Sequence, residues 1–143
     1  MNILKSVGAV VAGFLTVVVF STGTDWVLEH AGIFPPQSEA GLIAPWMLAI
    51  ALLYRIIYTV AGGYVTAWLA PSNRMTHVWV LAVLGQIGGI MGVVIGWDLS
   101  AHWYPIALAV TAIPSVWLGG YLFEKQCAPA LVYTYKQGQP QND

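Results

Sequence analysis

Arg55 lies inside an apolar stretch long enough to cross a membrane, and it is the residue of this sequence with the clearest capacity for chemistry. Helical spacing puts Tyr58, Thr59 and Gly62 on the same face as Arg55. An arginine at bilayer depth costs about 2.5–3.5 kcal/mol in insertion measurements, so a compensating partner or a function is expected. Two hypotheses follow. The guanidinium either pairs with a carboxylate that ties two helices together, or it belongs to a substrate-anion site or a proton relay.

Asp25 is the predicted partner of Arg55. It lies near the end of the first apolar run, and Arg55 lies nine residues after Trp46, about 13 Å along the second run at 1.5 Å per residue. Consecutive membrane helices run in opposite directions, and side chains tilt toward the N-terminus of their own helix. The two side chains therefore lean toward each other. Gln86, a polar residue of the third run, is predicted to bridge helices by hydrogen bonds or to line a pathway.

A further group combines histidine and carboxylate side chains near predicted helix ends. Such side chains are able to bind a divalent metal, but no pair has the HExxH spacing of a helical zinc site, and ordinary loop polarity also explains them. The group consists of Asp25, Glu29, His30, Glu39, Asp98 and His102. The chain also lacks a glycine-rich phosphate loop and a GxSxG motif. We therefore predict no metal, no cofactor and no enzymatic activity.

Composition indicates that these residues are positioned by membrane-spanning helices. Of the 143 residues, 58% are hydrophobic and 8% are charged, compared with about 25% charged in soluble domains. Mean hydropathy is +0.72. We predict an all-α protein, a four-transmembrane-helix bundle with a cytoplasmic polar tail. The predicted ranges are about 3–29, 46–69, 76–97 and 105–123 for the helices and 124–143 for the tail.

The distribution of basic residues predicts the orientation. Lys5, Arg74, Lys125 and Lys136 fall at the N-terminus, in the second loop or in the tail, whereas the first and third loops contain neither lysine nor arginine. The positive-inside rule then places both termini in the cytoplasm of a bacterium, with the chain crossing its inner membrane several times. No basic run is present that would bind nucleic acid.

Glycines predict where helices approach closely. The third run carries a row of them, and in lipid small residues allow two backbones to come together. The second and fourth runs share a Gly-Gly-Tyr sequence, which indicates either two related helical hairpins or chance similarity. The glycines predicted to pack helices are Gly62, Gly63, Gly85, Gly88, Gly89, Gly92, Gly96, Gly119 and Gly120.

Several short motifs resemble a group of small bacterial four-helix inner-membrane proteins. The motifs are Gly23-Thr24-Asp25, Phe34-Pro35-Pro36, Tyr54-Arg55 through Tyr58, Gly62-Gly63-Tyr64, Leu69-Ala70-Pro71, Trp103-Tyr104-Pro105 and Trp117-Leu118-Gly119-Gly120. The loop from Asn73 to His77 departs from the group's pattern, because it lacks a proline and a second basic residue. The resemblance covers nearly the whole chain. It implies the fold and the membrane location, and it carries no information about an activity.

Two functional hypotheses remain open from the sequence. In the first, the protein is a non-enzymatic accessory subunit or a self-associating bundle, because four short helices with several small-residue faces offer more packing surface than one bundle interior uses. The expected partners are the lipid bilayer and either a second copy or another membrane protein. In the second, an oligomer transports a small solute or protons, with Arg55 and Asp25 in the pathway.

Overall fold

The computed structural model describes residues 3–35, 44–98 and 101–137. Four helices occupy most of them: α1 (Ile3–His30), α2 (Pro45–Leu69), α3 (Arg74–Ile95) and α4 (Trp103–Gln137). Each contains a segment long and apolar enough to cross a bilayer, and no strand occurs among the described residues. The predicted all-α fold with four membrane-spanning helices is confirmed, so the chain is a multi-pass membrane protein. The cytoplasmic location of the termini stays a prediction.

Local sequence explains both ends of α2 and the start of α3. Pro45 occupies the first turn of α2, where a missing backbone N–H leaves no bond unmade. Leu69 ends α2, and Ala70 adopts an extended conformation immediately before Pro71, as the residue before a proline favours. Asn73 then takes a left-handed conformation with φ 43° and leads into α3. Asparagine tolerates this conformation better than most residues, so α2 and α3 are joined by a tight turn.

Helix α4 is longer than predicted. It begins at Trp103 and continues to Gln137, beyond the predicted end at residue 123. The prediction ended the helix where the apolar sequence ends, but Glu124, Lys125 and Gln126 have good helix propensity and continue the helix. Pro129 does not end the helix either. The predicted tail 124–143 is therefore helical up to Gln137, and residues 138–143 lie outside the described part.

The bundle is organised around α2 and α4. These two helices make the most extensive contact, while α1 packs mainly on α2 and α3 mainly on α4. Since α2 and α4 both follow a connection on the same side of the bundle, they run parallel to each other. We call the side where α1 and α3 end and α2 and α4 begin the acidic end, after Asp25, Glu29 and Asp98. The opposite side, with Lys5, Arg74 and Lys125, is the basic end.

Glycines let the α2 and α4 backbones touch in a reciprocal pattern. A Cβ added to Gly63 would lie 2.9 Å from the carbonyl carbon of Val116, and one added to Gly119 would lie 2.9 Å from that of Val60. The α1–α2 contact follows the same principle, since a Cβ at Gly62 would lie 2.8 Å from the carbonyl oxygen of Gly13. Such distances are too short for any side chain. These glycines therefore set the spacing of the three helices.

Two apolar clusters fill the interior. One lies in the basic half of the bundle and consists of Val10, Ala67, Val78, Leu81, Ala82, Val116 and Phe123. The other lies at the acidic end and consists of Phe34, Leu48, Ala51, Tyr54 and Tyr104. The two tyrosines of the second cluster place polar hydroxyl groups among its apolar side chains.

Candidate functional site

Arg55 and Asp25 form an ion pair between α2 and α1. The Arg55 Nη2 donates to Asp25 Oδ2 at 2.7 Å. The Arg55 side chain is 32% exposed and that of Asp25 is 17% exposed, so neither charge is fully enclosed by protein. At 1.5 Å per residue, Arg55 lies about 15 Å along α2 from its start at Pro45. The opposite tilt of side chains on antiparallel helices brings the two groups together at this depth.

Two tyrosine hydroxyls of α2 form hydrogen bonds with neighbouring residues of α1. Tyr54 Oη donates to Asp25 Oδ1, so each carboxylate oxygen accepts a hydrogen bond. One turn along α2, Tyr58 Oη lies 2.9 Å from Thr24 Oγ1, which adds a second polar link between α1 and α2. Thr59 makes no such link. Its Oγ1 donates to the Arg55 carbonyl oxygen at 2.6 Å, within its own helix.

Tyr104, at the start of α4, brings a third helix to the site. Its side chain belongs to the buried cluster of the acidic end, with 7% of the residue exposed. The Arg55 Cζ lies 6.0 Å from the centre of the Tyr104 ring, which is near the outer limit of a cation–π contact. Helix α4 therefore contributes an aromatic face and a hydroxyl group to an ion pair that α1 and α2 form.

Three buried polar side-chain atoms lack a hydrogen-bond partner among the described residues: Ser21 Oγ, Arg55 Nε and Tyr104 Oη. Arg55 and Tyr104 belong to this site, and Ser21 lies on α1 one helical turn from Asp25. Buried polar atoms normally have partners, and leaving one unpaired costs about 1–3 kcal/mol. The site therefore offers hydrogen-bonding capacity that the described residues do not use.

An apolar cavity of about 590 Å³, widely open to the outside, lies at the acidic end, and its described lining includes neither partner of the ion pair. Phe34 and Met47 line this cavity and also pack in the cluster that contains Tyr54 and Tyr104, so they form a wall shared by the two. Glu29 contributes a carboxylate to the lining. The other lining residues within the described ranges are Gly32, Ile33, Pro35 and Ala44.

Gln86 lies on α3, away from the ion pair. Its side chain is half-buried, and within the described part of the chain it makes no hydrogen bond. The predicted bridge between helices is therefore not formed inside this bundle by the described residues.

The histidines proposed as metal ligands each contact a tryptophan ring. His30 lies 4.0 Å from the Trp26 ring, centre to centre, and donates from Nδ1 to the Trp26 carbonyl oxygen at 2.9 Å. His102 stacks on Trp97 at 4.1 Å. Residues 3–35, 44–98 and 101–137 contain no group of three side chains able to hold a metal, although Glu29 and Asp98 are within these ranges. The sixth member of the predicted group, Glu39, lies outside them.

The glycines of α3 are arranged differently from those of α2 and α4. Apart from the adjacent residues and backbone of α3 itself, no described atom lies within 4 Å of a Cβ added to Gly85, Gly88 or Gly92. We call these three residues the open glycine face. Gly89 approaches α4, with 3.3 Å from its added Cβ to the Ala109 Cα, and Gly96 ends its own helix. From the α4 side, a Cβ added to Gly120 would lie 2.7 Å from a methyl group of Val78. Thus the most glycine-rich helix leaves most of that row uncovered.

Sequence reasoning selected Arg55, Asp25 and Tyr58 but left out Tyr54, Thr24 and Tyr104. Tyr54 directly precedes Arg55, and a helical wheel puts neighbours 100° apart, so the sequence favours packing for Tyr54. Tyr104 has no sequence proximity to Arg55, and only the packing of α4 on α2 brings them together. The sequence signal that could have identified Tyr104 is its position directly before Pro105, near the predicted start of the fourth helix.

Comparison with known proteins gives a partial match. The chain is 32% identical over 112 residues to the protoheme IX farnesyltransferase of Rhodopirellula baltica, and this match covers 75% of the chain. The chain spans only 37% of the length of that protein. No protein-family model matches the chain. No solved structure matches it either.

Proposed function

We propose that the protein is a non-enzymatic, self-associating bundle of the bacterial inner membrane, and that the open glycine face of α3 is the surface through which two copies pack. The observation that carries this proposal is the contrast between glycines. Gly13, Gly62, Gly63 and Gly119 each meet the backbone of a neighbouring helix, whereas the open glycine face meets no described atom.

The spacing of this face supports helix–helix contact. Gly88 and Gly92 are four residues apart, the GxxxG spacing at which two membrane helices approach through their backbones. Both are exposed at the bundle surface. Flanking this pair, Leu84, Met91 and Ile95 are exposed and apolar, so the surface suits lipid or a second apolar helix. A glycine destabilises a helix by about 1 kcal/mol relative to alanine. A close contact between two helices would compensate for this loss of stability.

The partial match to a longer protein supports the membrane setting of the proposal. The chain spans 37% of the length of that farnesyltransferase, so what the whole relative does is not transferred to it. The catalytic activity named for that relative is not part of the proposal, because the chain carries no recognisable catalytic motif.

The proposal is tested by measuring self-association in lipid bilayers for Gly88→Leu and Gly92→Leu. Energy transfer between labelled copies, followed as protein is diluted with lipid, gives the dimerisation constant. Both variants should dimerise at least about tenfold more weakly than the parent, because a leucine separates the helix backbones. Gly8→Leu is the matched control, since Gly8 also lies in open space on another helix. A parent that stays monomeric, or variants that associate like it, would refute the proposal.

A second candidate is an oligomeric transporter of small solutes or protons in which Arg55 and Asp25 line the pathway. The partial exposure of Arg55, 32%, is the observation that favours it. Liposomes containing the protein and a pH-sensitive dye provide the test. Arg55→Met combined with Asp25→Leu should fold and abolish proton flux, whereas equal flux in parent, double variant and empty liposomes would exclude proton transport.

A further inference from the structure

We propose that the basic end binds the phosphate group of an anionic membrane phospholipid, and that Arg74 is the residue that holds it. The lipid lies against the outside of the bundle, with its headgroup at the start of α3. This inference does not depend on the proposed self-association, because Gly88 of the open glycine face lies about 21 Å further along α3 than Arg74.

The guanidinium of Arg74 is held in place by an aromatic ring. Its Cζ lies 5.1 Å from the centre of the Phe123 ring, within the range of a cation–π contact. Phe123 is buried, with 6% of the residue exposed, and Tyr64 of α2 packs edge-on against the same ring at 5.2 Å, centre to centre. The cation therefore rests on a packed contact between α2 and α4, so binding an anion there requires little further ordering of the side chain.

The hydrogen-bond donors of Arg74 are unused by the described residues. A guanidinium carries five N–H donors, and the Phe123 ring offers them no oxygen acceptor. Within residues 3–35, 44–98 and 101–137, no hydrogen bond or ion pair involves Arg74. Arg74 is half-buried, so it remains accessible from outside the bundle. The matching partner is a negatively charged acceptor, and a phosphate forms strong charge-assisted hydrogen bonds with arginine.

The charge of the basic end favours an anion. Its described side chains include three cations, those of Lys5, Arg74 and Lys125, and one carboxylate, that of Glu124. None of these four side chains forms an ion pair with a described residue. Positive charge at a bilayer surface attracts anionic lipid. The basic end thus has an excess of positive charge available to a negatively charged ligand.

The position of Arg74 indicates a lipid rather than a soluble phosphate. Arg74 is the first residue of α3, and the apolar membrane span of α3 begins with it. Exposed tryptophan and tyrosine side chains lie toward the same end of the bundle, and such side chains mark the headgroup level of a bilayer. They are Trp68, Trp79, Trp117 and Tyr121. A phosphate bound by Arg74 would place the acyl chains along the exposed apolar side chains of α3 and α4.

Native mass spectrometry of the protein released from detergent micelles tests the proposal, because it counts the lipids bound to each protein molecule. The probes are dioleoyl phosphatidylglycerol, which is anionic, and dioleoyl phosphatidylcholine, which has the same acyl chains and no net charge. The parent should bind phosphatidylglycerol at least about fivefold more tightly, the factor expected for one basic residue near a lipid phosphate. Binding is measured on the monomer, so the result does not depend on self-association. Equal binding of the two lipids would overturn the proposal.

Two variants locate the binding site. Arg74→Gln removes the charge and should reduce the preference for phosphatidylglycerol to less than about twofold. Lys125→Gln is the matched control, because Lys125 is also basic but lies about 200° around α4 from Phe123 and therefore points away from the ring. This control should keep the preference of the parent. Equal losses in the two variants would mean that the general charge of the basic end attracts the lipid, and would overturn the assignment to Arg74.

Two further measurements test the role of the ring and the source of the phosphate. Phe123→Leu keeps every charge and removes the ring, so it should weaken the binding of phosphatidylglycerol and leave that of phosphatidylcholine unchanged. An unchanged preference would overturn the role of Phe123 in positioning Arg74. Phosphatidylglycerol should raise the Tm of the parent in micelles, whereas sodium phosphate should not raise it above a sodium chloride control of equal ionic strength. Stabilisation by sodium phosphate that is lost in Arg74→Gln would overturn the assignment to a lipid.

Discussion

Replacing Gly119 with alanine tests whether glycine sets the spacing between α2 and α4. A Cβ at this position would lie 2.7 Å from the Tyr64 backbone nitrogen and 2.9 Å from the Val60 carbonyl carbon. Carbon contacts are optimal at about 3.5–4.0 Å, so α2 and α4 must separate by about 1 Å to accommodate one methyl group. The atoms in the way are backbone and cannot change rotamer. The substitution therefore acts on the whole helix pair.

The magnitude follows from two opposing terms. Overpacking a close contact costs about 1–3 kcal/mol, whereas alanine gains about 1 kcal/mol over glycine in helix propensity. Gly8→Ala separates the two, because Gly8 is helical and has no described atom within 4 Å of an added Cβ. The propensity term cancels in the comparison of the two variants. Gly119→Ala should therefore be less stable than Gly8→Ala by about 1–3 kcal/mol.

The assay is reversible unfolding in mixed micelles of dodecyl maltoside and sodium dodecyl sulfate, which gives the free energy of unfolding for each variant. Gly63→Ala should behave like Gly119→Ala, since its Cβ would lie 2.9 Å from the Val116 carbonyl carbon. Equal stability of Gly119→Ala and Gly8→Ala would refute the reasoning. It would mean that the α2–α4 contact adjusts by a methyl radius at no cost.

Two further predictions concern the ion pair and the orientation. Arg55→Met or Asp25→Leu alone should destabilise the protein. The loss should be somewhat less than the roughly 3–5 kcal/mol known for breaking fully buried pairs, because the Arg55 side chain is 32% exposed. The double variant should recover much of the lost stability. Additive losses in a double-mutant cycle measured by micelle unfolding would show that the pair is not coupled. In intact cells and a Cys127→Ser background, an impermeant maleimide should label Ala31→Cys, which is exposed at the acidic end, and should not label Glu124→Cys at the basic end. The reverse labelling pattern would invert the predicted topology.

The sequence was sufficient to predict the helices, because apolar length and prolines determine where membrane helices begin and end. The predicted starts of α2 and α4 lie within a few residues of Pro45 and Trp103. The end of α4 was missed for a physical reason. Apolarity reports where the membrane ends, but a helix ends only where its backbone hydrogen bonding ends, and Gln137 lies well past the apolar span.

The candidate site was predictable only in part. The pairing of Asp25 with Arg55 was predictable because their helices are consecutive in the sequence. Consecutive membrane helices are antiparallel, so the tilt of both side chains follows from the order of the helices. Tyr104 lies on α4, and its place beside Arg55 depends on the packing of non-consecutive helices. The same limit affects the glycines. The number of glycines in a helix shows that the helix is able to pack closely, but it does not show which neighbour the glycines face. For this reason the sequence did not reveal that the open glycine face of α3 lacks a neighbouring helix among the described residues.

The length of α4 has a mechanical consequence. At 1.5 Å per residue its 35 residues extend about 52 Å, whereas the hydrocarbon core of a bilayer is about 30 Å thick. About 20 Å of helix must therefore project from the bilayer or lie along its surface. Pro129 lacks the backbone N–H that this segment would otherwise use and makes a bend there favourable. A reporter fused after Gln137 would thus be attached to a semi-rigid helical spacer. The distance of the reporter from the bilayer would show whether this part of the helix projects from the membrane or lies along its surface.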